Sequence, residues 1–215
     1  KNGGTVVSVN PIPEAGNNVF IDPQNPLAIL KGGEQLTDLY LQVKINGDVA
    51  LMKAALFLML EAEEKNPGTV FDIEFIQEFT ENYDAFISDI KTVDFKDAVL
   101  ESGIPENQVR AFAQLLIEKK KIIICWAMGL TQHENGVQNV REIVNILLAK
   151  GSIGKPGAGT CPVRGHSNVQ GDRTMGIWEK PKEGFLSKLD ERFNIKTPRE
   201  HGVDAVESIE AMHEN

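Results

Sequence analysis

Cysteine, tyrosine and tryptophan occur only twice each in these 215 residues, and histidine four times. The two cysteines, Cys125 and Cys161, stand too far apart in sequence for a CxxC pair, so neither a disulfide framework nor a zinc site has support. Both thiols are expected to be free in a reducing compartment; with no signal-peptide pattern, the expected location is cytoplasmic. Long apolar runs are missing too. The longest, IIICWAMGL from Ile122 to Leu130, falls far short of the ~20 residues that cross a bilayer, and no membrane span is expected. Positive charge is in deficit: 22 Lys and Arg stand against 31 Asp and Glu, a net charge of −9. That balance argues against a general nucleic-acid surface while leaving room for one local basic pocket. No internal repeat, nucleophile triad or catalytic carboxylate pair is legible. His133, His201 and His213 have no partners nearby in sequence and read as surface histidines.

What is present is an alternation of short apolar strands and longer helices. Thr5 to Val9 (TVVSV) reads as a buried strand, and Pro11 to Gly33, rich in Pro, Gly and Asn, as a long irregular connection. Leu39 to Val43 is a second strand. Asn46-Gly47-Asp48 then precedes a strong helix, with Asp48 placed to cap it. Shorter helices are expected at Asp72–Phe79, Asn82–Ile90 and Phe95–Leu100. Another starts at Pro105, with Val109, Phe112, Leu115 and Leu116 on one face. IIICW reads as a third buried strand, followed by the loop Ala127 to Gln132 and a helix over Val137 to Lys150 that stops at Gly151. Gly151 to Gly176 reads as a Gly-rich loop, and Phe185 to Phe193 as a short helix. Strands apolar on both faces that alternate with helices indicate a mainly parallel α/β sheet, with binding groups at the carboxyl ends of its strands.

Four loops fall at such ends. Asn10, directly after the first strand, can read a nucleotide's sugar or base, or end the strand as an Asx turn. In Asn46-Gly47-Asp48 the carboxylate can cap the helix or accept hydrogen bonds from a guanine edge. Met128-Gly129 and Gln132 fit a flat ligand, or an ordinary strand-to-helix turn. The last stretch, PVRGHSNVQGDRTMG from Pro162 to Gly176, holds two arginines, a histidine and two amides with almost nothing to bury. Arg164 could fork onto a phosphate or oxo group, while His166, Ser167, Asn168 and Gln170 could satisfy a heteroaromatic ring. By contrast GSIGKPGAG, Gly151 to Gly159, lacks a Ser or Thr after Lys155 and reads as a tight turn rather than a phosphate loop.

WAMGLTQHENG, a helix, and then GSIGKPGAGTCPVRGHSNVQGDRTMG together closely resemble the molybdopterin oxidoreductases, nearest to the formate dehydrogenase alpha subunit and its divergent relatives. The family pattern is WGMGxTQ, a helix, a GNxGxPxAG turn and PxRGxxNVQG. NGD is similar to the family's GTD, and VNP to its strand-end VDP. The resemblance runs from about Thr5 to Gly176.

The resemblance implies a Rossmann-like three-layer α/β/α domain, incomplete at its N-terminal side and cut from a longer parent. Residues 1–165 would be the C-terminal part of the cofactor-binding domain, and 166–215 the crossover loop and the start of the neighbouring domain. It further implies bis-molybdopterin guanine dinucleotide on molybdenum or tungsten, and a 4Fe-4S cluster elsewhere in the parent. Asn10, Asn46, Gly47 and Asp48 would serve a guanosine end, Met128, Gly129 and Gln132 the path to the pterin, and Arg164, Gly165, His166 and Asn168 the pterin. Arg164 would also be catalytic, with no metal ligand in this chain. A small-molecule substrate, the rest of the parent and an electron-transfer partner complete the expectation; the fragment alone would be inactive. Asn10 for the usual Asp, Ile12 for Arg, Ala127 for Gly and His166 for Gln set this chain apart from the best-known formate dehydrogenases. The alternatives are a nucleotide-binding or regulatory α/β module without redox chemistry, and a degenerate scaffold.

Overall fold

A computed structural model describes residues 3–30, 32–177, 181–200 and 202–214. The chain divides into two compact units, Lys1–Val163 and Arg164–Asn215.

In the first unit, β1 (Val7–Val9) is followed by α1 (Ala15–Asn18), β2 (Val19–Phe20), α2 (Pro26–Leu30), β3 (Glu34–Gln35) and β4 (Leu39–Leu41). Next come α3 (Asp48–Lys65), α4 (Ile73–Phe79), α5 (Tyr83–Lys91), α6 (Phe95–Ser102) and α7 (Glu106–Glu118). β5 (Ile123–Trp126), α8 (Met128–Thr131), α9 (Gly136–Ala149) and β6 (Gly159–Pro162) complete it. β1 pairs in parallel with β4, Ser8 opposite Tyr40, and β5 in parallel with β6, Cys125 opposite Cys161. The connection after Asn10, expected to be irregular, contains a small antiparallel ribbon in which Val19 faces Gln35.

The core forms around α3. Its sequence DVALMKAALFLMLEAEEK is apolar nearly all round, which suits a helix enclosed by other elements rather than one with a wet face. Leu51, Ala54, Ala55, Leu56 and Met59 are fully buried. Each fully buried Leu or Met side chain contributes roughly 1.5–3 kcal/mol. α6, α7 and α9 pack on this helix, supplying Ala98, Val109, Phe112, Leu116, Ile143, Ile146 and Leu147 to one continuous core. Val7, Val9 and Leu39 from the first strand pair, and Ile124 and Trp126 from β5, are half-buried against it.

The result is the expected Rossmann-like α/β fold, with differences that have local causes. Among the described residues the parallel strands form two separate pairs. IIICW is not buried on both faces: Ile124 and Trp126 turn to the core, while Ile123 and Cys125 lie exposed. β1 is likewise half-buried. The helix before Gly151 turns Asn139, Ile143, Ile146 and Leu147 inward, leaving Val140, Val144 and Leu148 half-buried at the edge of that face.

Gly151 to Gly159 is the turn its composition suggests. Gly151 adopts φ +55°, and a Cβ there would meet the Asp72 side chain. Lys155 pairs with Asp72 at 2.7 Å and lies over the Phe75 ring, while Asp72 caps α4 by accepting the Phe75 N–H. Its one basic residue therefore braces a neighbouring helix.

In the second unit α10 (Val169–Thr174), α11 (Glu183–Phe193) and α12 (Ala205–Glu214) follow in order. The stretch expected to be loop from Gly151 to Gly176 thus contains strand β6 and helix α10. Asn168, in the left-handed conformation at φ +58°, turns the chain into α10. Arg199 bridges Glu183 and Asp190, tying the ends of α11 to the segment that follows.

Candidate functional site

Three loops leave the carboxyl ends of the parallel strands in the first unit. The first is held from beneath by β4. The Asn10 N–H donates to the Leu41 carbonyl, the Tyr40 hydroxyl donates to the Asn10 and Ile12 carbonyls, and Gln42 Nε2 donates to the Pro11 carbonyl at 3.1 Å. The Asn10 side chain makes no Asx turn. Its Nδ2 donates to Glu14 Oε2 at 3.1 Å, and its Oδ1 has no partner among the described residues.

The second loop turns through Asn46 at φ +70°. Gly47 is required for close approach: a Cβ there would lie 2.9 Å from the Ser102 carbonyl and 3.0 Å from that of Lys44. Gly47, not Asp48, occupies the cap position, so Asp48 becomes the first residue of α3 and makes no side-chain cap. The left-handed Asn46 and compact Gly47 complete the turn one residue earlier than the sequence suggests. The Asp48 carboxylate is half-buried, and its own backbone N–H is the donor it meets. Burial pushes it above the usual carboxylate range, the neighbouring His133 opposes this, and burial prevails.

The third loop runs from Ala127 through the short turn α8 into α9. Gly136 permits the tight junction, since a Cβ there would strike the Thr131 carbonyl. Fully buried Asn139 donates from Nδ2 to the Leu130 carbonyl at 2.9 Å, fixing α8 to α9, and leaves its Oδ1 unpartnered. At Gly129 a Cβ would meet nothing within 4 Å, so the backbone there faces open space. Met128 is exposed, and the Gln132 amide reaches only the Met128 sulfur, at 4.0 Å, among the described residues.

The sequence reading missed His133. Far from an isolated surface group, it ties the second loop to the third: Nε2 lies 2.8 Å from the Gly129 carbonyl and Nδ1 lies 3.3 Å from Asn46 Oδ1. A carbonyl only accepts, so Nε2 carries a proton; in the neutral ring Nδ1 then accepts, which calls for the Asn46 amide to present its NH₂. The available signal was its position, next to Gln132 in a strand-end loop. His213 is exposed as expected, and His201 lies outside the described residues.

The remaining predicted positions, Arg164, Gly165, His166 and Asn168, belong to the second unit. Arg164 and His166 are exposed and make no hydrogen bond or ion pair among the described residues. The Asn168 side chain lies against Gly171, which has no Cβ to displace it.

Fold and loop arrangement define a class: a Rossmann-like α/β domain with uncommitted polar groups at its strand ends. The comparisons narrow it. No family model matches the chain. It is 46% identical over 213 residues to a protein called an uncharacterized oxidoreductase in Mycobacterium tuberculosis, covering 99% of this chain and 27% of that one. It is 43% identical over 217 residues to Protein YdeP of Escherichia coli, covering 99% and 29%. To a Staphylococcus aureus protein named "Putative formate dehydrogenase" it is 30% identical over 185 residues, covering 82% and 18%. Among solved structures, acetylene hydratase from Pelobacter acetylenicus shares the fold with a TM-score of 0.54 at 14% identity, over 73% of this chain and 18% of that one. These likenesses are consistent with a portion of a molybdopterin oxidoreductase of the formate-dehydrogenase-like kind. It spans between a quarter and a third of the length of the relatives it matches throughout (27% and 29%).

Proposed function

We propose that this chain is a cofactor-binding portion of a bis-molybdopterin guanine dinucleotide oxidoreductase. The observation that carries the reading is the pairing of Asp48 with Gly129 in loops joined through His133. A half-buried carboxylate raised by burial, whose one donor among the described residues is its own backbone N–H, fits the N1–H and N2–H₂ edge of guanine. An open glycine backbone fits the close approach of a flat ring.

In this reading Asn46, Gly47 and Asp48 hold one guanine, with Asn10 offering its free Oδ1 to the same nucleoside. Met128, Gly129 and Gln132 line the approach to the pterin, Gln132 offering both a donor and an acceptor. Arg164, Gly165, His166 and Asn168 serve the pterin, and Arg164 adds a positive charge that favours charge developing during the reaction. When bound, the group supplies two-electron oxidation or reduction of a small substrate at molybdenum or tungsten. The protein's share is binding, orientation and electrostatics. A 4Fe-4S cluster and an electron-transfer partner would lie outside this chain, and the setting would be cytoplasmic. The structural division at Val163 and Arg164 lies close to the proposed boundary at residue 165, beyond which the chain passes into a neighbouring domain.

Arg164→Ala in the full-length enzyme tests the assignment. Turnover should fall at least about a hundredfold, the scale of one lost electrostatic stabiliser, with the fold intact. Unchanged turnover would remove Arg164 from the site.

A further inference from the structure

The exposed face of the β5–β6 pair brings together the two cysteines of the chain. Cys125 stands opposite Cys161 in the parallel register, flanked by Ile124 opposite Thr160 and Trp126 opposite Pro162. Opposed residues on adjacent strands point to the same side, and the strands lie ~4.8 Å apart. That spacing falls inside the roughly 4.4–6.8 Å between Cα atoms that a disulfide spans, so the pair lies within disulfide reach. The two cysteines face each other directly across the strand pair, and both are exposed. Their separation in sequence, which argued against a pair, is removed by the fold.

We propose that Cys125 and Cys161 form a redox-modifiable dithiol that closes to an intrachain disulfide on reaction with a low-molecular-weight disulfide. One cysteine thiolate attacks a sulfur of the oxidant, forming a mixed disulfide and releasing one small thiolate. The neighbouring cysteine thiolate then attacks the protein sulfur, forming the Cys125–Cys161 bond and displacing the second small thiolate. The two cysteine protons end on the two released thiols, and the two electrons reduce the oxidant's disulfide. Partial burial and the neighbouring Cys161 thiol push the Cys125 thiol up, so closure quickens as the pH rises above neutrality.

The position gives the modification a consequence. β5 leads at once into the Ala127 loop, and β6 ends just before Arg164. A covalent link between these strands restrains the roots of both segments without touching the residues proposed to bind cofactor.

The test treats the native-length protein with oxidised glutathione, quenches by alkylation in denaturant and maps the peptides. The expected product is the Cys125 peptide linked to the Cys161 peptide, reversed by dithiothreitol. It should form on the order of tenfold faster in folded than in denatured protein, reflecting the raised effective concentration. Cys161→Ser should abolish the link and leave Cys125 alkylated or capped by glutathione. Recovery of both wild-type thiols alkylated, separate capping of each, or linkage to other cysteines would overturn the proposal.

Discussion

His133 stands between Gly129 and Asn46, 2.8 Å from the carbonyl of one and 3.3 Å from the side-chain amide of the other. Two strand-end loops distant in sequence are thereby fixed to each other by one ring.

Removing that ring should loosen the junction with little effect on the core. His133→Ala is expected to lower unfolding stability by about 1 kcal/mol, the usual net worth of such hydrogen bonds. It should also reduce cofactor retention in the native-length protein several-fold. Denaturant titration and metal content check the two effects; wild-type values for both would contradict the bridging role.

Asp48 makes a pH-dependent prediction. Burial raises its folded-state pKa above the unfolded value, so the folded state holds the proton more tightly. Its contribution is therefore unfavourable above the raised pKa, and the penalty fades as the pH falls towards ~3.9, the unfolded value. Asp48→Asn should raise the thermal midpoint of cofactor-free protein slightly at pH 7 and lose that advantage near ~3.9. The same variant should hold guanine nucleotide less well. A lower midpoint at pH 7 would show that the carboxylate has a stabilising partner.

Glu63 presents the opposite sign. It is buried, which raises its pKa, yet backbone N–H groups outweigh that and hold it below the usual range. Gly68 N–H donates to Oε1 at 2.5 Å, and those of Val70 and Phe71 to Oε2 at 2.9 and 3.0 Å. The stability it contributes is present above the unfolded pKa of ~4.3 and is lost as pH falls through the lower folded value. Glu63→Gln places an NH₂ against N–H donors and should cost about 2–3 kcal/mol at pH 7. The difference from wild type should shrink in acid; a constant difference across pH would contradict the charge-based account.

Gly151→Ala should destabilise the protein by about 1 kcal/mol or more, from its positive φ and the approach of Asp72. Thermal melts of the variant check this, and an unchanged midpoint would mean the turn before β6 adapts freely.

Helices α3 to α7, α9 and α11 were legible in sequence because their signals are local, whereas α1, α2, α8 and α10 lie in stretches read as loop. Asp72 caps α4, Pro105 immediately precedes α7, and the long apolar run after Asp48 marks α3 as a strong helix. The four strand-end loops were also legible, since glycine and amides interrupt the apolar runs there. Relationships across the chain were not. Nothing local shows that Cys125 meets Cys161, that His133 reaches Asn46, or that only one face of β5 finds a covering layer. Asp48 was misplaced by one residue because a left-handed Asn46 and a crowded Gly47 determine where α3 begins, and composition does not encode that crowding.

The central claim is that these loops belong to a guanine-dinucleotide pterin site. Its most direct test is metal analysis with mass spectrometry of the nucleotide released from native-length protein made in a molybdate-supplied, pterin-competent host. The account requires molybdenum or tungsten together with molybdopterin guanine dinucleotide, two dinucleotides per metal, and their depletion in Asp48→Asn. Wild-type protein carrying neither metal nor guanine dinucleotide would contradict it.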